Sequence, residues 1–539
     1  MTSTLSRYQS LFLITLLWGG LVVLSLSLRP LLPMDETRYL SVAWEMWNSG
    51  DFLVPHLNGQ PYSHKPPLLF WIMQAGWAIL GVNDWWPRLV APLFGLGCLL
   101  MTRSIALRLW PDAPEVASVT PLILLGALFW TIFSSLTMFD MLVASVTVAA
   151  MLCLLRARDT GSVLSFMLLG MVIGIGALAK GPVTLLYVLP VALLAPVWDV
   201  GGIIRTRTGG WRNWYIGVAI AVVIGIVIGL AWAIPAAVLG GEEYRNAILW
   251  GQTAGRVVNS FAHKQPTWWY AVILPVTLLP WMIWPPLWRS FMRAWNERNS
   301  SSFADGSVLF CVCWIIPALL ALSAVSGKQP HYLLPILPAI TLLFAKVLII
   351  KSTPSKRLDQ APILALVLVA AVAVTIFTAK EMPVYWNVFS LLWILPVLIG
   401  SYLYTQAKDT VLSITLVSIL LIISIQGLGK PLVGSAFDLS EMASRIKSIQ
   451  QQGKPVVHVG KYHGQYHFLG KLTQTIDVVG CRGVEEWLTK NPTGAFIKYQ
   501  RIPFEGSGLL YTQPYRGKYV ALWDGVVIVT SNDAVLCKE

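Results

Sequence analysis

Charged residues that could do chemistry stand out first in "LPMDETRYLSVAWEMWNSGD", residues 32–51, where Asp35, Glu36 and Arg38 follow a long apolar run. Downstream, "TMFDML" carries Asp140, "LAKGPV" carries Lys180, and "SGKQPHYLLP" carries Lys328, His331 and Tyr332. The stretch 30–85 adds Tyr39, His56, Tyr62, His64 and Lys65, and 239–267 adds Glu242, Glu243, Tyr244, Arg245, Arg256, His263 and Lys264. Carboxylates in such a set can take a proton or stabilise a carbon that becomes positive. Fixed cations in a water-poor site stabilise negative charge growing on a leaving group. Each residue also has a plainer reading. Lys180 or Lys328 at a helix end can simply snorkel, Asp35 and Glu36 can stabilise the N-terminus of a following helix, and a single histidine is usually structural. Asp140 is harder to dismiss, because a carboxylate among apolar residues costs roughly 2.5–3.5 kcal/mol at the centre of a membrane helix.

The elements that must position these groups are membrane helices. Of 539 residues, 56% are hydrophobic and 12% charged, against about a quarter charged in soluble domains. The 25 tryptophans suit two interfacial aromatic belts. Apolar runs of spanning length fall near 10–29, 86–108, 119–136, 139–156, 163–179, 182–198, 213–238, 268–288, 307–326, 331–350, 361–379, 384–404 and 410–428, thirteen in all. No small-x-small cleavage site follows the first run, so it is expected to remain as an anchor. The short run 66–82, after the rigid Pro66-Pro67 turn, reads as a helix lying in the interface.

Alternate loops are basic: Arg103 and Arg108; Arg156 and Arg158; Arg205, Arg207 and Arg212; Arg289, Arg293 and Arg298; Lys351, Lys356 and Arg357; and Lys408. The positive-inside rule places them, with Arg7, in the cytoplasm. The net charge of +13 is therefore topogenic and gives no support to nucleic-acid binding. An odd number of spans puts the tail on the far side, together with Asp35, Asp140, Lys180, Lys328 and His331.

The expected organisation is a transmembrane catalytic domain, 1–429, whose first outer loop is 30–85, and an α/β domain, 430–539. In the tail, "KPVVHVG", "GAFIKYQ", "GKYVALW" and "GVVIVT" read as strands. "LSEMASRIKSIQQQG" reads as a helix capped by Ser440 and stopped by Gly453. Cys98, Cys153, Cys311 and Cys313 lie in apolar runs and read as packing residues, while Cys481 and Cys537 can pair if the tail is extracytoplasmic. No DxD triplet or Walker A loop occurs. Gly174-Ile-Gly176-Ala-Leu-Ala179 formally fits a dinucleotide fingerprint, but it lies inside an apolar span and reads as helix packing.

"DETRYLSVAWEMWNSGDFLVPHLNGQPYSHKPPLLFW" resembles the first periplasmic loop of GT-C glycosyltransferases, in the branch of protein O-mannosyltransferases and bacterial aminoarabinose (lipid A) transferases. "LAKGPV", "HKQPTWWY" and "GKQPHYLLP" fit the same pattern, so the resemblance runs the length of the chain. It implies a polytopic α-helical fold of about thirteen helices with a small C-terminal periplasmic α/β domain, in the bacterial inner membrane. The implied activity is inverting transfer of a sugar from a polyprenyl-phosphate donor to lipid A or, alternatively, to a protein, glycan or other lipid.

Residue by residue, the resemblance implies catalytic roles for Asp35 and Asp140. Lys65, Lys180 and Arg256, joined by Lys328, would line the donor phosphate. Glu36, Arg38, Tyr39, Tyr62, His263, His331 and Tyr332 would contact substrate or shape the pocket. Aminoarabinose transferases often carry Glu before the first-loop lysine, a residue that can take part in binding a divalent metal. Here His64 stands in that place, and histidine also ligates zinc. A secondary transporter would carry its charges near mid-helix, whereas these cluster at helix ends. A sensor role for the His- and Tyr-rich "GKYHGQYHFLG" would leave the first-loop charges unexplained.

Overall fold

A computed structural model describes residues 7–250, 264–296, 305–350, 357–381, 392–406, 409–503 and 505–526. Among these, nine helices are long and apolar enough to cross a membrane. Each of the thirteen apolar runs coincides with helix, wholly or in part. The first 180 residues fold as α1 (Arg7–Leu28), α2 (Asp35–Ser49), α3 (Leu68–Leu80), α4 (Trp85–Leu109), α5 (Pro114–Gly126), α6 (Leu128–Phe133), α7 (Phe139–Thr160) and α8 (Val163–Lys180). α7 is the most enclosed of the candidate spans, and it packs against both α4 and α8. The helices Trp211–Leu239 and Ala361–Glu381 instead turn Val223, Ile226, Val227, Leu368, Val369 and Ile376 outward, as lipid-facing helices do.

Several runs are broken where prolines and a neighbouring break meet. The run 119–136 splits into α5 and α6 at Ala127, whose backbone is extended. The run 268–288 becomes a helix Trp269–Thr277, a 3-10 turn Trp281–Ile283 and a helix Pro285–Asn296, with Pro275 in the last turn of the first helix and Pro280 just before the 3-10 turn. Each break leaves backbone groups without an intrahelical partner, and the two meet: Leu128 donates its N–H to the Leu279 carbonyl (2.8 Å). The run 331–350 starts as a 3-10 turn, Pro330–Ile336, before the α-helix Leu337–Ile350.

The segment after α1 builds most of the outer structure. Asp35 and Glu36 occupy the first turn of α2, where the helix dipole favours acids. α2 ends at Gly50, which adopts φ +73° and returns its N–H to Met46. β1 (His56–Leu57) and β2 (Gln60–Pro61) form a small hairpin. At 13 residues, or about 20 Å, α3 is too short to span.

The C-terminal part is one five-stranded mixed sheet of order β4-β3-β5-β7-β6. Its strands are β3 (Val456–Val459), β4 (Asp477–Val479), β5 (Ala495–Gln500), β6 (Leu509–Tyr515) and β7 (Lys518–Asp524). β3 runs parallel to β4 and β5, and β6 and β7 form an antiparallel hairpin. The helix Ser440–Gln451 contributes Met442, Ala443 and Ile446 to the core with Val456, Ile497 and Leu522. Ser440 does not cap this helix. It is the first helical residue, and the Asp438 carboxylate accepts from its N–H (2.9 Å) and hydroxyl (2.6 Å). Cys481 is disulfide-bonded, and Cys98, Cys153, Cys311 and Cys313 are free. Cys537 and most of "GVVIVT" lie outside the described residues.

Candidate functional site

The site is assembled at one end of the helical bundle from four separated segments. α2 and the loop before α3 supply Asp35, Arg38, Tyr39, Tyr62, His64 and Lys65, and the first turn of α7 supplies Asp140. Lys180 is the last residue of α8, and His331 and Tyr332 come from the 3-10 turn Pro330–Ile336. Helices that alternate in direction bring these termini together.

Asp140 is buried and ion-paired with Lys180, Nζ to Oδ1 2.5 Å. His331 Nε2 stands 3.8 Å from the other carboxylate oxygen. The Lys180 ammonium also lies 4.6 Å from the centre of the Tyr332 ring, within cation–π range. The Tyr332 carbonyl is held by the Tyr187 hydroxyl (2.8 Å). Lys65 reaches in from the first loop, with its ammonium 5.6 Å from the Phe139 ring. Asp35, Lys65, Asp140 and Lys180 all lie within electrostatic reach of His331.

Asp35 lies at the entrance to this group. It accepts from Arg38 (2.5 Å) and from the Tyr39 hydroxyl (3.1 Å). The buried Tyr39 ring meets Phe139 edge-on at 4.9 Å, which ties the first loop to the start of α7. Tyr62 packs near His64 and Phe70, with centroids 5.3 and 6.4 Å away.

Glu36 does not face this opening. Its carboxylate is buried against Arg29 in a two-pronged pair and also accepts from the backbone N–H of Leu32 and Thr137 (both 2.8 Å). Arg29 in turn donates to the Ser135 carbonyl. Burial opposes ionisation of Glu36, but Arg29 and the two N–H groups outweigh it and hold the carboxyl below its usual range. The expectation that Glu36 touches substrate gives way to a clamp: it fastens the start of α2 to the segment that presents Asp140. Lys328 is also turned inward, donating to the carbonyls of Val325 (2.5 Å) and Gln265 (3.1 Å) and bracing the loop ahead of His331. Arg256 and His263 lie outside the described residues. His64 is exposed and belongs to no group of three or more metal-type ligands among the described residues, which therefore do not fit a preformed metal centre.

The C-terminal domain rests on the first loop. Asn58 and Gly59 form the turn of the β1–β2 hairpin, both with positive φ (56° and 74°). The Asn58 side chain pairs with the backbone of Ile476 as a strand would, donating at 2.7 Å and accepting at 2.8 Å. Trp44 donates to the Leu472 carbonyl (2.7 Å), and Trp77 stacks on Phe468 at 5.6 Å. The Asn-Gly pair is a strong hairpin signal that was open to sequence reading; Arg29 and Ser41 carried no such mark.

Residues 11–239 match the family described as Dolichyl-phosphate-mannose-protein mannosyltransferase. The chain is 28% identical over 341 residues to the undecaprenyl phosphate-alpha-4-amino-4-deoxy-L-arabinose arabinosyl transferase of Serratia proteamaculans, covering 61% of this chain and 58% of that protein. It is 29% identical over 406 residues to the protein of that name from Erwinia tasmaniensis, covering 74% and 70%. The fold matches the crystal structure of ArnT from Cupriavidus metallidurans bound to undecaprenyl phosphate, with a TM-score of 0.71, 19% identity, and coverage of 98% and 99%.

Proposed function

Starting from its membership of the GT-C glycosyltransferases, in the group of protein mannosyltransferases and aminoarabinose transferases, we propose that this chain transfers a sugar from undecaprenyl phosphate to lipid A. The donor is the 4-amino-4-deoxy-L-arabinose lipid for which the relatives are named. The multi-pass chain sits in the bacterial inner membrane with its N-terminus in the cytoplasm. The site and the C-terminal domain face the periplasm.

The observation that carries this reading is the convergence of Asp35 with the Asp140–Lys180–His331 group at one bundle end. In the reaction, the bond between the anomeric carbon and the phosphate oxygen breaks, and its electron pair leaves with the lipid phosphate. Lys180, held by Asp140, and Lys65 stabilise the growing charge. The acceptor oxygen attacks the opposite face of the anomeric carbon, and the configuration inverts. The partly exposed Asp35 stabilises the positive carbon. A lipid A phosphate oxygen is already ionised and needs no base, whereas an acceptor hydroxyl would pass its proton to Asp35.

Mass spectrometry of lipid A and of polyprenyl-phosphate sugars tests this in cells with wild-type protein, with Asp35→Asn and with no protein, at matched membrane levels. The expected result is a sugar-sized mass on lipid A that disappears with Asp35→Asn while donor accumulates. Unchanged lipid A with donor still accumulating would move the acceptor to a protein or another glycan. No change in either pool would overturn the transferase.

A further inference from the structure

The C-terminal domain lays the loop between β3 and residue 465 against α2. Ser41 Oγ donates to the Gly464 carbonyl (2.5 Å) and accepts from the Phe468 N–H (3.0 Å). Gly464 has no room for a side chain, since a Cβ there would fall 2.5 Å from Leu57 and 3.3 Å from Ser41. Arg38 lies three residues before Ser41, on the same face of α2. His463 is thereby brought into electrostatic reach of Arg38, and also of Lys461 and Arg516.

Arg516 enters from the other end of the sheet's topology. It begins the two-residue turn between β6 and β7, where Tyr515 pairs with Lys518. Arg516 takes φ 53° and Gly517 φ 72°. Asn, Asp or Gly is the usual first residue of such a turn. An arginine there accepts backbone strain, and strain of this kind points towards function. Its N–H bonds the Ala436 carbonyl (3.0 Å), which fixes the turn near the start of the domain.

Arg38, Lys461 and Arg516 thus lie within electrostatic reach of His463, where the first loop and the C-terminal domain join. Lys461 and Arg516 are exposed, while Arg38 and His463 are half-buried. Among the described residues, neither Lys461, His463 nor Arg516 is in an ion pair, and Arg38 is paired with Asp35. Lys461 and Arg516 carry like charge near His463, with no acid paired to either among the described residues, and a bound anion relieves that repulsion.

We propose that Arg38, Lys461, His463 and Arg516 form an anion-binding rim, shared by the first loop and the C-terminal domain, that takes a phosphomonoester on the acceptor headgroup. Calling the bearer of that phosphate the acceptor rests on the transferase reading above. The donor phosphate is assigned to Lys65 and Lys180, around the buried Asp140. The rim is open, and its Arg38 bonds Asp35 directly. An acceptor phosphate on the rim stands beside the carboxylate at the reaction centre, while Tyr39 links that same carboxylate towards Phe139 and the Asp140 group.

The test uses the full chain in nanodiscs. Two probes are titrated, a diacylated glucosamine 1-phosphate and the same lipid without phosphate. Wild-type protein should bind the phosphorylated probe about tenfold more tightly, as loss of a charge-assisted contact implies. Lys461→Gln with Arg516→Gln should erase that preference, and Lys461→Arg with Arg516→Lys should keep it. In the transfer assay the glutamine pair should raise the acceptor KM about tenfold, with kcat and donor KM unchanged. Equal binding of both probes by wild type would overturn the rim, as would an unchanged preference in the glutamine pair. A rise in donor KM instead would assign these cations to the donor. Inorganic phosphate competing as well as the lipid probe would make the site one for a free anion. Phosphate-selective binding by a wild-type protein that transfers nothing would overturn the transferase and leave the rim standing.

Discussion

Asp35 and Glu36 are neighbours in the chain and live in opposite surroundings. The Asp35 side chain is 45% exposed and is held by Arg38 and the Tyr39 hydroxyl. The Glu36 side chain is 3% exposed and is saturated by Arg29, Leu32 and Thr137. Successive residues on a helix point about 100° apart. Two adjacent acids at a helix start therefore serve two ends, one facing the cleft and the other facing the core. The pairing teaches that a functional constellation needs a buried counterpart to hold it still.

The two acids should separate cleanly in mutants. Asp35→Asn is expected to lower transfer by roughly 10²–10⁴-fold while the melting temperature barely moves. Glu36→Gln leaves the Arg29 guanidinium buried without its charge partner, at a cost of about 3–5 kcal/mol of stability. Thermal unfolding and single-turnover transfer, measured on both variants, check the contrast. A Glu36→Gln protein of wild-type stability, or an Asp35→Asn protein that melts early, would break the comparison.

The helical architecture was legible because a span needs about 20 apolar residues, and each of the nine long apolar helices among the described residues falls on such a run. The breaks were harder to see. Prolines mark the run 268–288, but the contact of Leu128 with Leu279 joins segments about 150 residues apart and has no local signature. Charge at helix ends is costly in a membrane protein, and it marked Asp35, Lys65, Asp140, Lys180 and His331, which the structure gathers at one end of the bundle. Their division of labour was not. Nothing in "DETR" says which acid turns inward, because that depends on Arg29 and on the backbone at Thr137. The tail's docking was likewise hidden, apart from the Asn58-Gly59 turn. His467 belongs to the His- and Tyr-rich stretch weighed from sequence as a sensor, yet it is buried in the domain, as is His458 on β3.

Those two histidines give the C-terminal domain a pH dependence of its own. Burial lowers each to about 4 from 6.5. His458 Nδ1 lies 3.2 Å from the Gly460 carbonyl, and His467 Nδ1 lies 2.6 Å from the Tyr462 hydroxyl. A histidine depressed in the folded state adds stability that is fully present above its unfolded value near 6.5. That stability is lost as pH falls towards 4. At pH 5 each should have given up about 2 kcal/mol. Melting of the full chain, followed by proteolytic release of the C-terminal domain, should be flat from pH 8 to about 6.5 and fall below it. His458→Gln with His467→Gln should flatten the acid limb. An unchanged limb would assign the acid sensitivity to other groups.

The smallest expected effect concerns the hinge between the two halves of the comparison. Asn58 is part of the first loop, but its side chain completes the backbone pairing of Ile476 in the C-terminal domain. Asn58→Gly preserves the positive-φ turn and removes only those two bonds, so it isolates their contribution, about 1–2 kcal/mol of docking. Asn58→Ala adds the strain of a left-handed alanine and should cost roughly 1 kcal/mol more. Protease cleavage ahead of the helix Ser440–Gln451 reports docking, and the acceptor KM reports whether the rim stays in place. If the rim is real, Asn58→Gly raises cleavage and acceptor KM together and leaves donor KM alone. If cleavage rises and acceptor KM does not, the domain is held by the Trp77–Phe468 stack and its neighbours, and the first loop alone recognises the acceptor.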